Sequence, residues 1–526
     1  MEGSWFSRDP LPLLRLNRPM VEGTMQKGGL RSGAVDFATL RGVFFAAIAL
    51  ALAIAAFIHL VFPILTIGNL AERNFNEGWN VYHALRAAQG GVMYDADPWR
   101  VNNYPFLSFY LIAGLDRLVG DLLLTGRLVA ILSLGVTAIS GALVVRSLGG
   151  RALEMAVTAC AIPAFFHLTA PAWTGTDDPQ SLGHAFMAVG LAVYVADRRS
   201  LRHLAWTALF LALGGFTKHN LVAVPVAVTV DILFDSRRRF LIWCSFGAIS
   251  CAALLVAIKL IAGGDFLGHL LTPRVYLWDH IAYHARKFLI TFKLPMLVAI
   301  VLLCRSLPGG QGVLLRAYGG AALLSALYFA GGDGTSFNIF LDCAIFLGIA
   351  SGLAIGQARR SLPEGYLRRF AVLAVPVLAL WPAFSRLPQP VDQLRHLPGA
   401  LALAAGLDQV FGASRDYVAS RPGAAVCESL LLCWRAGKPF TLDNFNIRQQ
   451  VLAGGLDQGP LLARIRAKEF GVIQTSGLIE GDQPGELNPR LTEMNRFTDE
   501  FLRAVQENYR LAEDAPRGLY AFYIPR

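Results

Sequence analysis

Asn76-Glu77-Gly78-Trp79-Asn80 follows a long apolar run, and the polar stretch it opens continues to Gly126-Arg127, where the next apolar run begins. Between them lie a Gly-Gly-x-x-Tyr turn (Gly90 to Tyr94), Asn103-Tyr104-Pro105 and a short apolar segment. A carboxylate at the edge of a membrane span, in a loop rich in Trp and Tyr, points to chemistry beside a lipid head group rather than to conduction. The flanking runs decide the fold class. Val43 to Ile67, Leu241 to Ala262 and Leu294 to Cys304 are long and apolar, and a spanning helix needs about 20 such residues. Only helices or closed barrels satisfy the backbone in lipid, and no period-2 alternation marks a barrel strand. The whole chain agrees, being 54% hydrophobic and only 16% charged, against roughly 25% charged in a soluble protein. Its mean hydropathy is +0.47. The sequence reads as an α-helical polytopic membrane protein.

The net charge of +10 does not imply nucleic acid. Lys and Arg gather between the apolar runs, at Arg146 and Arg151, Arg198-Arg199 with Arg202, Arg237 to Arg239, Arg305 and Arg316, Arg359-Arg360 and Arg368-Arg369. Short cationic loops resist translocation and so mark the cytoplasmic side. No basic face of the kind that tracks a phosphate backbone is present. On this count residues 1–38 form a cytoplasmic tail and residues 39–386 a membrane module of about eleven transmembrane helices. Outward loops fall at 68–124, 170–180, 217–220, 263–287 and 330–336, and residues 387–526 form a C-terminal periplasmic domain. The apolar stretch 105–119 is read as a helix lying on or dipping into the outer surface. The expected location is a bacterial inner membrane.

The C-terminal region loses the long apolar runs and alternates short strands with helices: 424–426, 429–436, 438–441, 459–467, 471–474, 499–508 and 519–524. That pattern predicts a small α/β domain, serving as a lid or stabilising module rather than a second catalytic unit. Cys427 and Cys433 lie in it, on the side where disulfides form, as a bridge or as two buried thiols. No metal-ligand spacing of His and Cys appears.

Polar residues at the outward ends of the spans carry the functional expectation. They are Asn76, Glu77, Asn80 and His83; Thr174 to Gln180 with Asp177-Asp178; Phe216-Thr217-Lys218-His219-Asn220; the loop with Arg274, Tyr276, Asp279, His280, His284, Arg286 and Lys287; and Gly331 to Asn338. Lys218 is a lone cation on the side that topology keeps poor in cations, and ionisable residues so placed are costly and often functional. Each has a plainer explanation too. Glu77 suits a helix first turn, Asp178-Pro179 suits an N-cap with proline after it, and Lys218 could snorkel to head groups. His269, His280 and His284 are expected to be structural, and Gly331 to Gly334 to permit close approach.

Taken together, these elements resemble the GT-C class of integral-membrane glycosyltransferases that use polyprenyl-phosphate sugars, which includes the protein O-mannosyltransferases and the lipid A aminoarabinose transferases. Glu77 at the end of the first span, Tyr104-Pro105 and Arg127 correspond to that pattern, as do the Lys218 turn, Gly332-Asp333-Gly334 with Asn338, and Cys427-Glu428 to Gly437-Lys438-Pro439. Two positions depart from it: Asn76-Glu77 stands where many members have Asp-Glu, and Tyr-Pro-Pro is reduced to Tyr104-Pro105-Phe106. The resemblance implies an inverting transfer from a polyprenyl-phosphate-linked sugar to a lipid, glycan or protein acceptor. It implies a carboxylate base, Glu77 or else Asp177 or Asp178, which position the acceptor or hold a divalent cation such as Mg or Mn. Lys218, His219, Arg127, Arg274 and Asn338 would bind the donor, and Asn80 and Tyr104 the acceptor side of the first loop. A secondary transporter would show internal repeats, and none is seen. A non-catalytic scaffold of envelope glycan assembly is the other alternative.

Overall fold

The computed structural model describes residues 37–305, 311–360, 365–479 and 496–526. The cytoplasmic tail expected over 1–38 lies, up to residue 36, outside the described residues. In chain order the membrane module comprises α1 (Phe37–Leu65), α2 (Asn76–Ala88), α3 (Leu107–Val119), α4 (Leu122–Ser147), α5 (Ala152–Thr169), α6 (Pro179–Ala196) and α7 (Leu201–Gly215). It continues with α8 (Ala223–Asp235), α9 (Arg237–Ala257), α10 (Phe266–Leu270), α11 (Trp278–Leu303), α12 (Gln311–Ala330), α13 (Leu341–Arg360) and α14 (Tyr366–Ser385).

A helix stands at each of the eleven expected spans. Six segments among the described residues are long and apolar enough to cross a membrane by themselves, or seven if the bent pair Arg369–Ser385 and Pro388–Arg395 is one broken span. The count of eleven is therefore not reached on length and composition alone. Part of the shortfall is length, since α7 and α8 have 15 and 13 residues, short of the roughly 20 that a full crossing needs; α6 and α11, with 18 and 26 residues, are long enough but too polar or charged over a full window. α3, with 13 residues, rises only about 20 Å along its axis and is likewise too short. The segment Phe337–Arg360 is the centre of the bundle, with 94% of its apolar window buried, against 11% for Arg237–Ala262 and 22% for Thr39–Leu65. Phe165, Tyr194, Phe292, Phe340 and Phe346 fill the core around it.

Two helices, α15 (Pro388–Arg395) and α16 (Leu397–Ser420), lead from the bundle to the C-terminal fold. There β1 (Ala424–Cys427), α17 (Leu430–Arg435), α18 (Asn444–Leu452), α19 (Gly459–Arg466), β2 (Phe470–Thr475), α20 (Asp499–Asn508), β3 (Tyr509–Leu511) and β4 (Ala521–Pro525) follow. The strands form one sheet in the order β1-β2-β4-β3, with β1 parallel to β2 and the other pairs antiparallel. The α/β pattern is as expected, except that the short strand β3 was not anticipated and two further points differ. Residues 438–441 form no strand: Pro439 has no N–H to give a ladder, and the segment instead stacks Phe440 on Tyr82, with ring centroids 4.8 Å apart. The helix α18 was not anticipated. Cys427 and Cys433 are joined in a disulfide, which ties the end of β1 to α17.

Candidate active site

The first turn of α2 holds Glu77, fully buried, in a fork with Arg127 of α4. Arg127 Nε donates to Oε1 and Nη2 to Oε2, both at 2.7 Å. The same carboxylate accepts from the backbone N–H groups of Arg73 at 2.8 Å and Asp177 at 3.1 Å. The remaining Arg127 donors go to the carbonyls of Ile67, Asn69 and Ala71. A guanidinium has five N–H donors, and all are used. Arg127 therefore has none to offer a phosphate, and Glu77, holding four donors, has no free lone-pair direction for an acceptor. The two residues fasten the first loop to the start of α4.

Asp177 is the opposite case. It is buried, yet neither carboxylate oxygen has a hydrogen-bond partner, and Asn80 Oδ1 beside it has none either. The Asp177 carbonyl accepts from Asn80 Nδ2 at 2.6 Å, which holds the turn in place. Its carboxyl lies against Gly126, where a Cβ would collide with it. Burial first, then the charges of Glu77 and Asp178, push this carboxyl well above the usual carboxylate range, while Arg127 pulls the other way.

The next residue, Asp178, is the N-cap of α6 with proline following, as the plainer expectation had it, its Oδ1 accepting from Gln180 N at 2.8 Å. It has a second task. Oδ1 also accepts from Lys218 Nζ at 2.9 Å, both side chains being buried, and Oδ2 from Asn76 Nδ2 at 3.3 Å. Lys218 lies 4.8 Å from the centre of the Tyr104 ring. Burial works against its charge, but Asp178 and Tyr104 more than offset that and its pKa is raised. An ammonium has three donors, so the one spent on Asp178 leaves capacity for an anion. His219 is exposed and its ring lies 6.3 Å from Tyr104.

Arg274 reaches this cluster from the loop before α11. Its side chain is exposed, and its guanidinium lies 5.1 Å over the ring of Phe445 in α18. Asn338 stands deeper: its amide bonds Gln180 at 3.3 Å, and it meets the site only through the α6 N-terminus. His269 is structural, taking Asn102 N at 2.9 Å on Nδ1 and bonding the Asp95 carbonyl through Nε2 at 2.6 Å.

The C-terminal domain closes one side. Gly78 lets α17 touch α2, since a Cβ there would collide with the backbone of Leu430 and Leu431. Asp443, the N-cap of α18, accepts from Trp79 Nε1 at 2.8 Å, and burial raises its pKa to about 6. Arg448 and Gln449 bond Asp333 at 2.9 and 2.8 Å. The glycine turn admits rings rather than helices: Gly334 has φ +72° and its missing side chain leaves room for Phe445. These α18 contacts were missed from sequence. The available signal was Asp443 two residues before Phe445, an N-cap residue ahead of a helix.

Glu77 accepts from four donors and Asp178 from three, whereas both carboxylate oxygens of Asp177 and Oδ1 of Asn80 have no hydrogen-bond partner. Among the described residues no group of three His, Cys, Asp or Glu could hold a metal ion.

A helical membrane module, its loops gathered at one end under a small α/β domain, is the architecture of the GT-C class of integral-membrane glycosyltransferases, and this chain has that fold. It is similar to ArnT from Cupriavidus metallidurans bound to undecaprenyl phosphate, with TM-score 0.54 and 12% identity over 92% of this chain and 98% of that one. The apo state of the same protein matches with TM-score 0.52 and 12% identity over 93% and 98%. The Archaeoglobus fulgidus oligosaccharyltransferase matches with TM-score 0.47 and 10% identity over 82% of this chain and 69% of that one. No protein-family model and no curated protein sequence matches.

Proposed function

We propose that the protein transfers a sugar from a polyprenyl-phosphate donor to a lipid, glycan or protein acceptor, on the periplasmic face of a bacterial inner membrane, with Asp177 as general base. The observation that carries this reading is the unpartnered, buried Asp177 carboxyl one residue from the Asp178–Lys218 pair. In this mechanism the donor phosphate sits between Lys218 and Arg274. The acceptor hydroxyl or amine attacks the anomeric carbon from the opposite side, and the bond from that carbon to the phosphate oxygen breaks. Its electron pair stays on the polyprenyl phosphate, whose charge the two cations stabilise. The acceptor proton passes to Asp177, whose raised pKa makes it a stronger base than an ordinary carboxylate.

Glu77 and Arg127 position this site without touching substrate, replacing the role of base expected for Glu77. Asp178 orients Lys218. The test is turnover of a labelled polyprenyl-phosphate sugar by membranes containing wild type or Asp177→Asn. Loss of transfer with retained lipid-phosphate binding supports the reading. Equal turnover by both proteins rules Asp177 out as the base.

A further inference from the structure

Arg274 is exposed on a loop, and a long cation in that position must give up rotamer freedom to hold a ligand. Its surroundings restrict it already. Its guanidinium lies over Phe445 at 5.1 Å. The backbone N–H of the next residue, Val275, donates to Gln449 Oε1 at 3.1 Å. The Val275 carbonyl accepts from Asp333 N at 2.9 Å, and Asp333 in turn is held by Arg448 and Gln449. Phe445, Arg448 and Gln449 are spaced i, i+3 and i+4 and so share one face of α18. Gly334 leaves the ring room to lie there, because any side chain at that position would strike it. On the other side, Tyr104 lies in the field of both Arg274 and Lys218.

We propose that Phe445 is a positioning residue, its ring holding the Arg274 guanidinium toward Lys218 so that the C-terminal domain completes the binding site for the anionic phosphate of a lipid-linked donor. This rests on the reading of Lys218 and Arg274 as the phosphate clamp. The C-terminal domain is then part of donor recognition and not only a cover. A cation–π contact at an exposed site corresponds to about two- to fivefold in affinity.

The experiment measures the affinity of the detergent-solubilised full chain for undecaprenyl phosphate and, separately, for the uncharged undecaprenol. The proteins are wild type, Arg274→Ala, Phe445→Ala, Phe445→Trp and the Arg274→Ala/Phe445→Ala double variant. Phe445→Ala is expected to weaken phosphate-lipid binding about two- to fivefold, with undecaprenol binding unchanged and Phe445→Trp restoring wild-type affinity. The double variant is expected to bind no more weakly than Arg274→Ala. If Arg274→Ala binds as wild type does, the phosphate clamp itself is wrong. If Arg274→Ala is weakened but Phe445→Ala is not, the clamp stands and the positioning role is overturned. Equal losses for both lipids, or an apo melting temperature lowered in Phe445→Ala and not restored by Trp, would show Phe445 to be structural only.

Discussion

Glu77→Gln separates a structural carboxylate from a catalytic one. Glutamine keeps one acceptor oxygen and turns an amide N–H₂ toward donors that need an acceptor. Whichever way it is flipped, one Arg127 N–H and one backbone N–H, of Arg73 or Asp177, lose their partner. The guanidinium also stays buried without its counter-charge. Breaking a buried ion pair from one side costs about 3–5 kcal/mol. At about 2 °C per kcal/mol for a large domain, the melting temperature should fall on the order of 5–10 °C. The Arg127→Met/Glu77→Gln double variant should be less damaged than the sum of its singles by about 1–3 kcal/mol, because the charge is removed with its partner. Asp177→Asn should do the reverse, removing a buried carboxyl that nothing compensates. Its melting temperature should hold or rise while turnover falls about 10²–10⁴-fold. The assay is a thermal melt of purified protein beside turnover per folded molecule. A Glu77→Gln protein that melts within 1 °C or so of wild type yet has lost turnover would return the base to Glu77 and refute the distinction.

Turnover should depend on pH through Asp177, which acts only when deprotonated. Its pKa is raised by burial, Glu77 and Asp178 against the pull of Arg127, so activity should fall with acid at a higher pH than an ordinary carboxylate near 4 would give; a kcat profile checks this. Gly126→Ala should cut turnover sharply while leaving lipid-phosphate binding intact, because its methyl group displaces the Asp177 carboxyl. Removing the Cys427–Cys433 bridge, which spans six positions, should cost about 2 kcal/mol, seen as a lower melting temperature on reduction.

The helices, and the ends at which their polar residues gather, could be read from the chain because apolar length and charge placement are local properties. Lys218 stood out for the same reason, a lone cation where cations are scarce. Pairing was not visible. Nothing in Asn76-Glu77 or Gly126-Arg127 says that the two charged residues form one closed fork, with the Asp177 carboxyl left unpartnered beside it. The span count exceeds what length and composition alone support because α7 and α8 are short helices whose ends sit at the site, and α6 and α11 carry polar or charged residues. In the C-terminal domain β1, β2 and β4 were legible from their flanking turns, whereas β3 and α18 were not. Its residues Asn444–Leu452 are polar on most sides, since one face binds Asp333 and Arg274 rather than a core. A helix that covers a polar site lacks the apolar stripe by which helices are recognised.

The most direct test of the central claim is the thermal shift of the solubilised chain with undecaprenyl phosphate, for wild type, Lys218→Ala and Asp177→Asn. A ligand that binds only the folded state raises its apparent stability. A shift in wild type and Asp177→Asn that disappears in Lys218→Ala is the predicted result. No shift in wild type, or an equal shift in all three proteins, would contradict a lipid-phosphate site at Lys218 and with it the glycosyl-transfer mechanism.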